Sequence, residues 1–221
     1  MSDRNNKLKK EVLYYAKLMD EKGLVNTLEG NLSILDRETG KMYITPSGTR
    51  KRFLNEDKIA VVNTENGEQI EGTVKKSSEI LLHEAALKAR PDCNAAAHIH
   101  APYLTAYAYC GKDIKLKCST TFSLVFEEIP CLPYGLPGTI HIADGIEDAI
   151  KDHDLILLGN HGCIAVGETL EDAVKIIEAA EEVLKIYHLT KEIGPVRNIS
   201  DSDLEELYNN HPGSRRNRYG K

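Results

Sequence analysis

The sequence has no apolar run near the ~18 residues that a membrane span needs, and its opening Met1-Ser2-Asp3-Arg4-Asn5-Asn6-Lys7 carries charge where an export signal carries a hydrophobic core. These two absences argue against a membrane protein and predict a cytoplasmic one. A basic excess is missing as well: 28 lysines and arginines face 34 acids, a formal net charge of -6. Such a chain has no general field for nucleic acid or an anionic membrane, so any anion it binds is held by a local arrangement. The five cysteines, Cys93, Cys110, Cys118, Cys131 and Cys163, contain no C-x-x-C pair. That spacing suggests neither a disulfide framework nor a zinc ribbon and predicts reduced thiols. Cys163 follows His161 by two residues, yet nothing nearby in the sequence orients a cysteine and histidine pair for nucleophilic attack. Internal repeats and a dividing linker are absent too, which predicts one domain over residues 1–221 with a short basic tail from about residue 212.

What is present is ordinary globular material, 41% hydrophobic and 28% charged, in a length suited to one large domain at ~150 residues each. Leu8, Val12, Tyr15, Ala16 and Met19 recur at helical spacing, and Gly23 follows where a helix stops. Alternation at Leu32 and Ile34, a turn at Glu38-Thr39-Gly40 and a returning strand over 42–45 predict a hairpin. Further strands are predicted over 59–63, 69–72, 94–100, 155–158 and 164–166. The helical pattern continues over 78–89, ended by Pro91, and over 102–109, where a proline suits the first turn and Gly111 breaks the last. Helices are also predicted over 140–151, 170–189 and 201–208, while 114–134 mixes β-branched and aromatic residues without a clear period. The mixture predicts an α/β fold.

Three short patterns can carry chemistry. In His98-Ile99-His100, alternate strand residues project from one face about 6.6 Å apart, so two imidazoles can grip one divalent ion. His161, in the glycine-flanked turn Gly159-Asn160-His161-Gly162 after an apolar strand, is a candidate third donor. Ser77-Ser78-Glu79 opens a helix, where unpaired N–H groups and the helix dipole favour an anion such as phosphate. Glu79 suits a metal ligand or a general base, and His83, one turn on, suits a packing or supporting role. Gly30-Asn31 and Pro46-Ser47-Gly48 are small polar turns that allow backbone N–H groups to approach phosphate oxygens. Each pattern also has a plain reading: surface histidines on a strand, a capped helix, ordinary turns.

In order along the chain, Gly30-Asn31, Ile44-Thr45-Pro46-Ser47-Gly48, Ser77-Ser78-Glu79, His98-Ile99-His100 and Asn160-His161-Gly162 resemble the class II sugar-phosphate aldolase and epimerase family, over about residues 8 to 190. The resemblance implies a single α/β domain with a central, mostly antiparallel β-sheet covered by helices on both sides. It also implies a four-fold homotetramer with active sites between subunits. His98, His100 and His161 would bind one zinc ion per subunit, with cobalt, manganese or iron(II) as other possible occupants. Glu79 would be the fourth ligand and the acid/base. Ser77, Ser78, Asn31, Ser47 and Gly48 would hold the substrate phosphate. The implied activity is cleavage of a ketose 1-phosphate to dihydroxyacetone phosphate and an aldehyde, the metal taking up charge as the carbon–carbon bond breaks. The family also includes pentulose-5-phosphate 4-epimerases, decarboxylases of sugar-acid phosphates and adducin-like heads without enzyme activity.

Three departures and one further likeness bear on these expectations. Leu28 stands where the family has a phosphate-binding threonine. The neighbourhood of Ser119 lacks the tyrosine that the aldolases present from an adjacent subunit to the leaving oxygen. Lys76 replaces a proline and would add positive charge near the anion. Tyr219, in the basic tail, resembles the C-terminal tyrosine that related epimerases present to a neighbouring site and is the candidate for the lost catalytic donor.

Overall fold

Alternation of apolar side chains along nearly every strand lets one sheet feed two cores. A computed structural model describes residues 3–219. Its first helix, α1 (Asp3–Glu21), is followed by strands β1 (Asn31–Asp36), β2 (Lys41–Ile44), β3 (Ala60–Asn63) and β4 (Gln69–Glu71). Next come α2 (Ile80–Ala89), β5 (Ala95–Ile99), α3 (Pro102–Tyr109), α4 (Thr120–Val125) and β6 (Cys131–Leu132). The chain continues through α5 (Ile146–Ala149), β7 (Leu155–Leu158), β8 (Gly162–Gly167), α6 (Leu170–Ile193), α7 (Asp201–Asn209) and α8 (Arg215–Tyr219). The strands form one eight-stranded sheet in the order β4-β3-β2-β1-β5-β8-β7-β6. Every pairing is antiparallel except β6 with β7.

One face of the sheet buries Leu32, Tyr43, Val61, Ala97, Ile99 and Leu157 against α1, α3, α4 and α6. The other buries Met42, Ile44, Val62, Ala96, Ile156 and Ile164 against α2 and α5. Each fully buried leucine or isoleucine contributes about 1.5–3 kcal/mol relative to exposure, and the two cores together make the sheet a rigid platform. Towards one end of the α2 face the apolar pattern gives way to Asn31, Ser33 and His98, all buried. The start of β1, the end of β5 and the β7–β8 turn meet there, because β1 and β8 both run antiparallel to β5 with Asn31 paired to His98 and Cys163 to Ile99.

Several local boundaries differ from the sequence expectation. Helix α2 begins at Ile80 and not at residue 78, since Ser77 and Ser78 form a turn in which the Ser77 hydroxyl accepts the Glu79 N–H at 3.2 Å. The helix predicted over 140–151 is split into a 3-10 turn, Ile140–Ala143, and the four-residue α5, because Gly145 between them has φ +80. Helix α6 runs on to Ile193 before Gly194. The unreadable stretch 114–134 holds elements too short to show a period: an isolated bridge of Ile114 with Ile129, α4 capped by Ser119, and two-residue β6. The basic tail contains α8, with residues 220 and 221 outside the described part. All five cysteines are free thiols. Among the described residues no helix is long and apolar enough to cross a membrane.

Candidate active site

Four side chains distant in sequence converge where the sheet turns polar. His98 Nε2 lies 3.1 Å from His100 Nε2 and 3.1 Å from His161 Nε2. Glu79 closes the group, with Oε1 2.8 Å from His161 Nε2 and Oε2 3.5 Å from His98 Nε2. The three imidazole donor atoms all lie within 4.8 Å of one another. Donors in a tetrahedral zinc shell, each about 2.0–2.1 Å from the ion, stand roughly 3.3 Å apart, so the spacing suits a single dication.

Strand geometry explains the pair at the end of β5, His98 within the strand and His100 one residue past it. The third donor depends on the β7–β8 turn, where Asn160 takes a left-handed conformation at φ +58 and its N–H bonds the Ala108 carbonyl at 3.0 Å. Asparagine tolerates that region better than most residues. Gly162 then passes close beneath His100. A Cβ there would meet the Ile99 carbonyl at 2.8 Å and the His100 ring at 3.3 Å.

Hydrogen bonding outside the cluster fixes the proton of His98. His98 Nδ1 donates to the Cys163 carbonyl at 2.8 Å, and a carbonyl can only accept, so the Nε2 lone pair faces the cluster. Burial pushes His98 down to about 4 and His100 to about 3, which keeps both rings neutral and able to ligate. Burial also raises the Glu79 carboxyl, but His98, His161 and the Asn31 amide more than offset it and hold the group well below the usual carboxylate range. The Nε2 atoms of His98, His100 and His161 beside an ionised carboxylate form a donor set that suits a divalent cation.

A second chain of bonds orients the carboxylate. Asn31 Nδ2 donates to Glu79 Oε2 at 2.6 Å, so its Oδ1 must accept, and His83 Nε2–H supplies that proton. Neutral His83 then accepts the Ser33 hydroxyl at Nδ1, 2.7 Å away. Burial pushes His83 down to about 4, consistent with the neutral ring that this direction requires. The predicted supporting histidine therefore acts on Glu79 through Asn31.

Beside the cluster lies a cavity of about 510 Å³ that Glu79, His100 and His161 share with Asn31, Ser47, Gly48, Ser77 and Ser78. The loop after β2 and the loop before α2 are zipped together. Ser47 Oγ donates to the Lys76 carbonyl at 3.3 Å and accepts the Ser78 N–H at 3.1 Å, and Ser47 N–H donates to the Lys75 carbonyl at 3.1 Å. Gly48 has φ +64, with open space where a Cβ would stand.

The family profile of the Class II Aldolase and Adducin N-terminal domain matches residues 10–188. The chain belongs to the class II aldolase and adducin family. It is 33% identical to the 5-deoxy-D-ribulose 1-phosphate aldolase of Bacillus thuringiensis serovar kurstaki over 201 residues, which cover 91% of this chain and 93% of that protein. It is 32% identical to the L-fuculose phosphate aldolase of Escherichia coli K12 over 200 residues, 90% of this chain and 91% of that one. A solved structure of L-fuculose 1-phosphate aldolase superposes with a TM-score of 0.82 at 30% identity, covering 95% of this chain and 97% of that chain. The α/β fold with its mostly antiparallel sheet is thus the class II aldolase fold, and the chain is an aldolase-family enzyme.

Three further residues need placing within this class II aldolase fold. Tyr219 is not in the cavity: its hydroxyl donates to Asp154 Oδ1 at 2.9 Å and accepts from Arg90 at 2.9 Å. Asp154 precedes β7 and His161 follows it, so at ~3.3 Å per residue the two stand at opposite ends of that strand. The tail tyrosine is held there by its own chain, beside a separate cavity of about 1180 Å³. Lys76 also turns away from the serine pair, donating its ammonium to the Gly67 carbonyl. Lys51 was not singled out from the sequence, yet it lines the cavity and is 2% exposed. Its place in Arg50-Lys51-Arg52 reads as a solvated basic run, and no local pattern signals that the middle residue points inward.

Proposed function

We propose that this chain is a zinc-dependent aldolase, one ion per subunit, that cleaves a ketose 1-phosphate to dihydroxyacetone phosphate and an aldehyde. The observation that carries the reading is the shared cavity: a His98, His100, His161 and Glu79 donor set opens onto the same space as Ser77, Ser78, Ser47 and Gly48. The 5-deoxyribulose and fuculose phosphate aldolases it resembles act on substrates of this class by their names. When bound, the dication supplies Lewis acidity for the charge that develops as the carbon–carbon bond breaks.

The chain's own groups do the rest. Main-chain and hydroxyl donors at Gly48, Ser77 and Ser78 hold the phosphate, with the second Nδ2 hydrogen of Asn31 available beside them. Ser47 contributes by locking the two loops, since its hydroxyl is already engaged. Cleavage removes a proton from the hydroxyl on the carbon that becomes the aldehyde and returns one to the carbon left behind. Glu79, ionised and aimed by Asn31, is the group placed to move a proton there. Assembly as a homotetramer and a cytoplasmic location belong to the same reading. Exposed apolar side chains along the end of α6, Ile186, Leu189 and Ile193, support an assembled state.

Product analysis tests this reading. Zinc-loaded protein incubated with 5-deoxyribulose 1-phosphate or fuculose 1-phosphate should release triose phosphate and the matching aldehyde. Epimerised pentulose or carbon dioxide from a sugar-acid phosphate, without triose phosphate release, would replace it with an epimerase or decarboxylase assignment.

A further inference from the structure

Lys51 is an ammonium buried where a charge is costly. Nζ donates to the carbonyls of Asn26 at 2.9 Å and Glu29 at 3.2 Å, and among the described residues these are its only hydrogen bonds. An ammonium has three protons to donate, so one remains. No described carboxylate forms an ion pair with it. Its neighbours Arg50 and Arg52 are both committed to Asp20, at 2.8 and 2.7 Å. Asp20, Glu79 and Glu29 act on it only from beyond ion-pair distance, and a cation taken from water without a directly bonded counter-charge is a structural liability unless an anion completes it.

The cavity that Lys51 lines has the complementary deficiency. It contains the carboxylates of Glu29 and Glu79, and Lys51 is the single lysine or arginine on its described wall. Lys76, the other candidate cation nearby, is spent on the Gly67 carbonyl. Leu28, 87% exposed at the rim, brings no hydrogen bond from its side chain. A phosphate dianion entering between two carboxylates needs a fixed positive charge, and backbone N–H groups alone supply only partial ones.

We propose that Lys51 binds the phosphoryl group of the substrate, as the fixed protein cation of this cavity, while its other two protons hold the Asn26–Glu29 turn. This inference rests on the sugar-phosphate reading above. It predicts that the pocket selects dianionic phosphate esters, and that the turn carrying Leu28 and Glu29 is braced by the same ammonium that meets the ligand.

The test is calorimetric titration of inorganic phosphate into the zinc-loaded protein, with zinc content measured on each sample. Lys51→Gln keeps amide protons for the turn but removes the charge, and Lys51→Arg restores the charge. The expected result is phosphate affinity lowered roughly ten- to hundredfold in the glutamine variant, at unchanged zinc stoichiometry, with recovery in the arginine variant. Phosphate affinity in Lys51→Gln equal to that of the unaltered protein overturns the role of Lys51 and leaves the aldolase reading intact. Absence of phosphate binding by the unaltered protein overturns both. Should the glutamine variant fail to fold, a crystal structure of the unaltered protein with inorganic phosphate decides: Nζ within hydrogen-bond distance of a phosphate oxygen supports the proposal, and phosphate seated away from Nζ refutes it.

Discussion

Replacing His83 by phenylalanine probes the bonds that aim Glu79. The ring's bulk is kept, so the substitution opens little cavity and isolates the polar contribution. It removes the donor to Asn31 Oδ1 and the acceptor for the Ser33 hydroxyl, on residues 5% and 0% exposed. Each orphaned buried polar atom costs about 1–3 kcal/mol, so the pair should cost ~2–6 kcal/mol. That is a large share of the roughly 5–15 kcal/mol by which domains are stable. Relaxation has its own cost: if Asn31 turns its amide over to recover a partner, Glu79 loses the donor it holds at 2.6 Å and the deficit moves into catalysis. Urea unfolding followed by circular dichroism, with kcat/KM measured on the same preparations, reads both. A stability change below about 0.5 kcal/mol together with an unchanged kcat/KM would refute the relay.

Other consequences follow from the same geometry. Glu79→Ala should lower kcat by about 10²–10⁴ while keeping the circular dichroism spectrum of the parent, at a stability cost of about 1–3 kcal/mol for the Asn31 amide it leaves unpaired, and full turnover in that variant would remove Glu79 from the chemistry. Gly162→Ala drives a Cβ against the Ile99 carbonyl and the His100 ring; it should destabilise by about 1–3 kcal/mol and weaken metal binding, as thermal unfolding with and without zinc would show. Metal-free protein should lose stability in mild acid. Because burial lowers His83 and His98 from 6.5 to about 4, the unfolded chain takes up these protons first, and stability falls as pH drops from 6.5 to 4. The loss is on the order of 3 kcal/mol for each ring, and a flat profile of unfolding free energy across that window would contradict the buried neutral state.

Much of this was readable before any coordinates. Helix α3 has the predicted bounds because Pro102 and Gly111 punctuate both ends, and β7 because an apolar run lies between polar turns. The donor cluster was legible as spaced patterns whose convergence needed the fold: antiparallel pairing of β1 and β8 with β5 brings Asn31 and the His161 turn to His98 and His100. Less accessible were features set by tertiary contact. Gly145 lies inside the helix predicted over 140–151, and its left-handed backbone divides the segment. Lys51 and Lys76 show the limit from both sides. The lysine beside the serine motif faces another loop, and the one inside a basic triplet faces the cavity, because loop closure and not local sequence sets their directions. Tyr219 sits at the far end of β7 from its own chain's cavity, bonded to Arg90 and Asp154, and the donor role that the resemblance implies for it belongs to a neighbouring subunit's site.

The most direct measurement is the metal content and coordination of the purified protein after exposure to stoichiometric zinc, read by mass spectrometry of the metal and by X-ray absorption. One tightly held dication per chain, with three imidazole nitrogens and a carboxylate oxygen around it, and its loss in His98→Ala, is the predicted result. Protein that leaves the zinc free, or that binds it equally well without His98, would contradict the account.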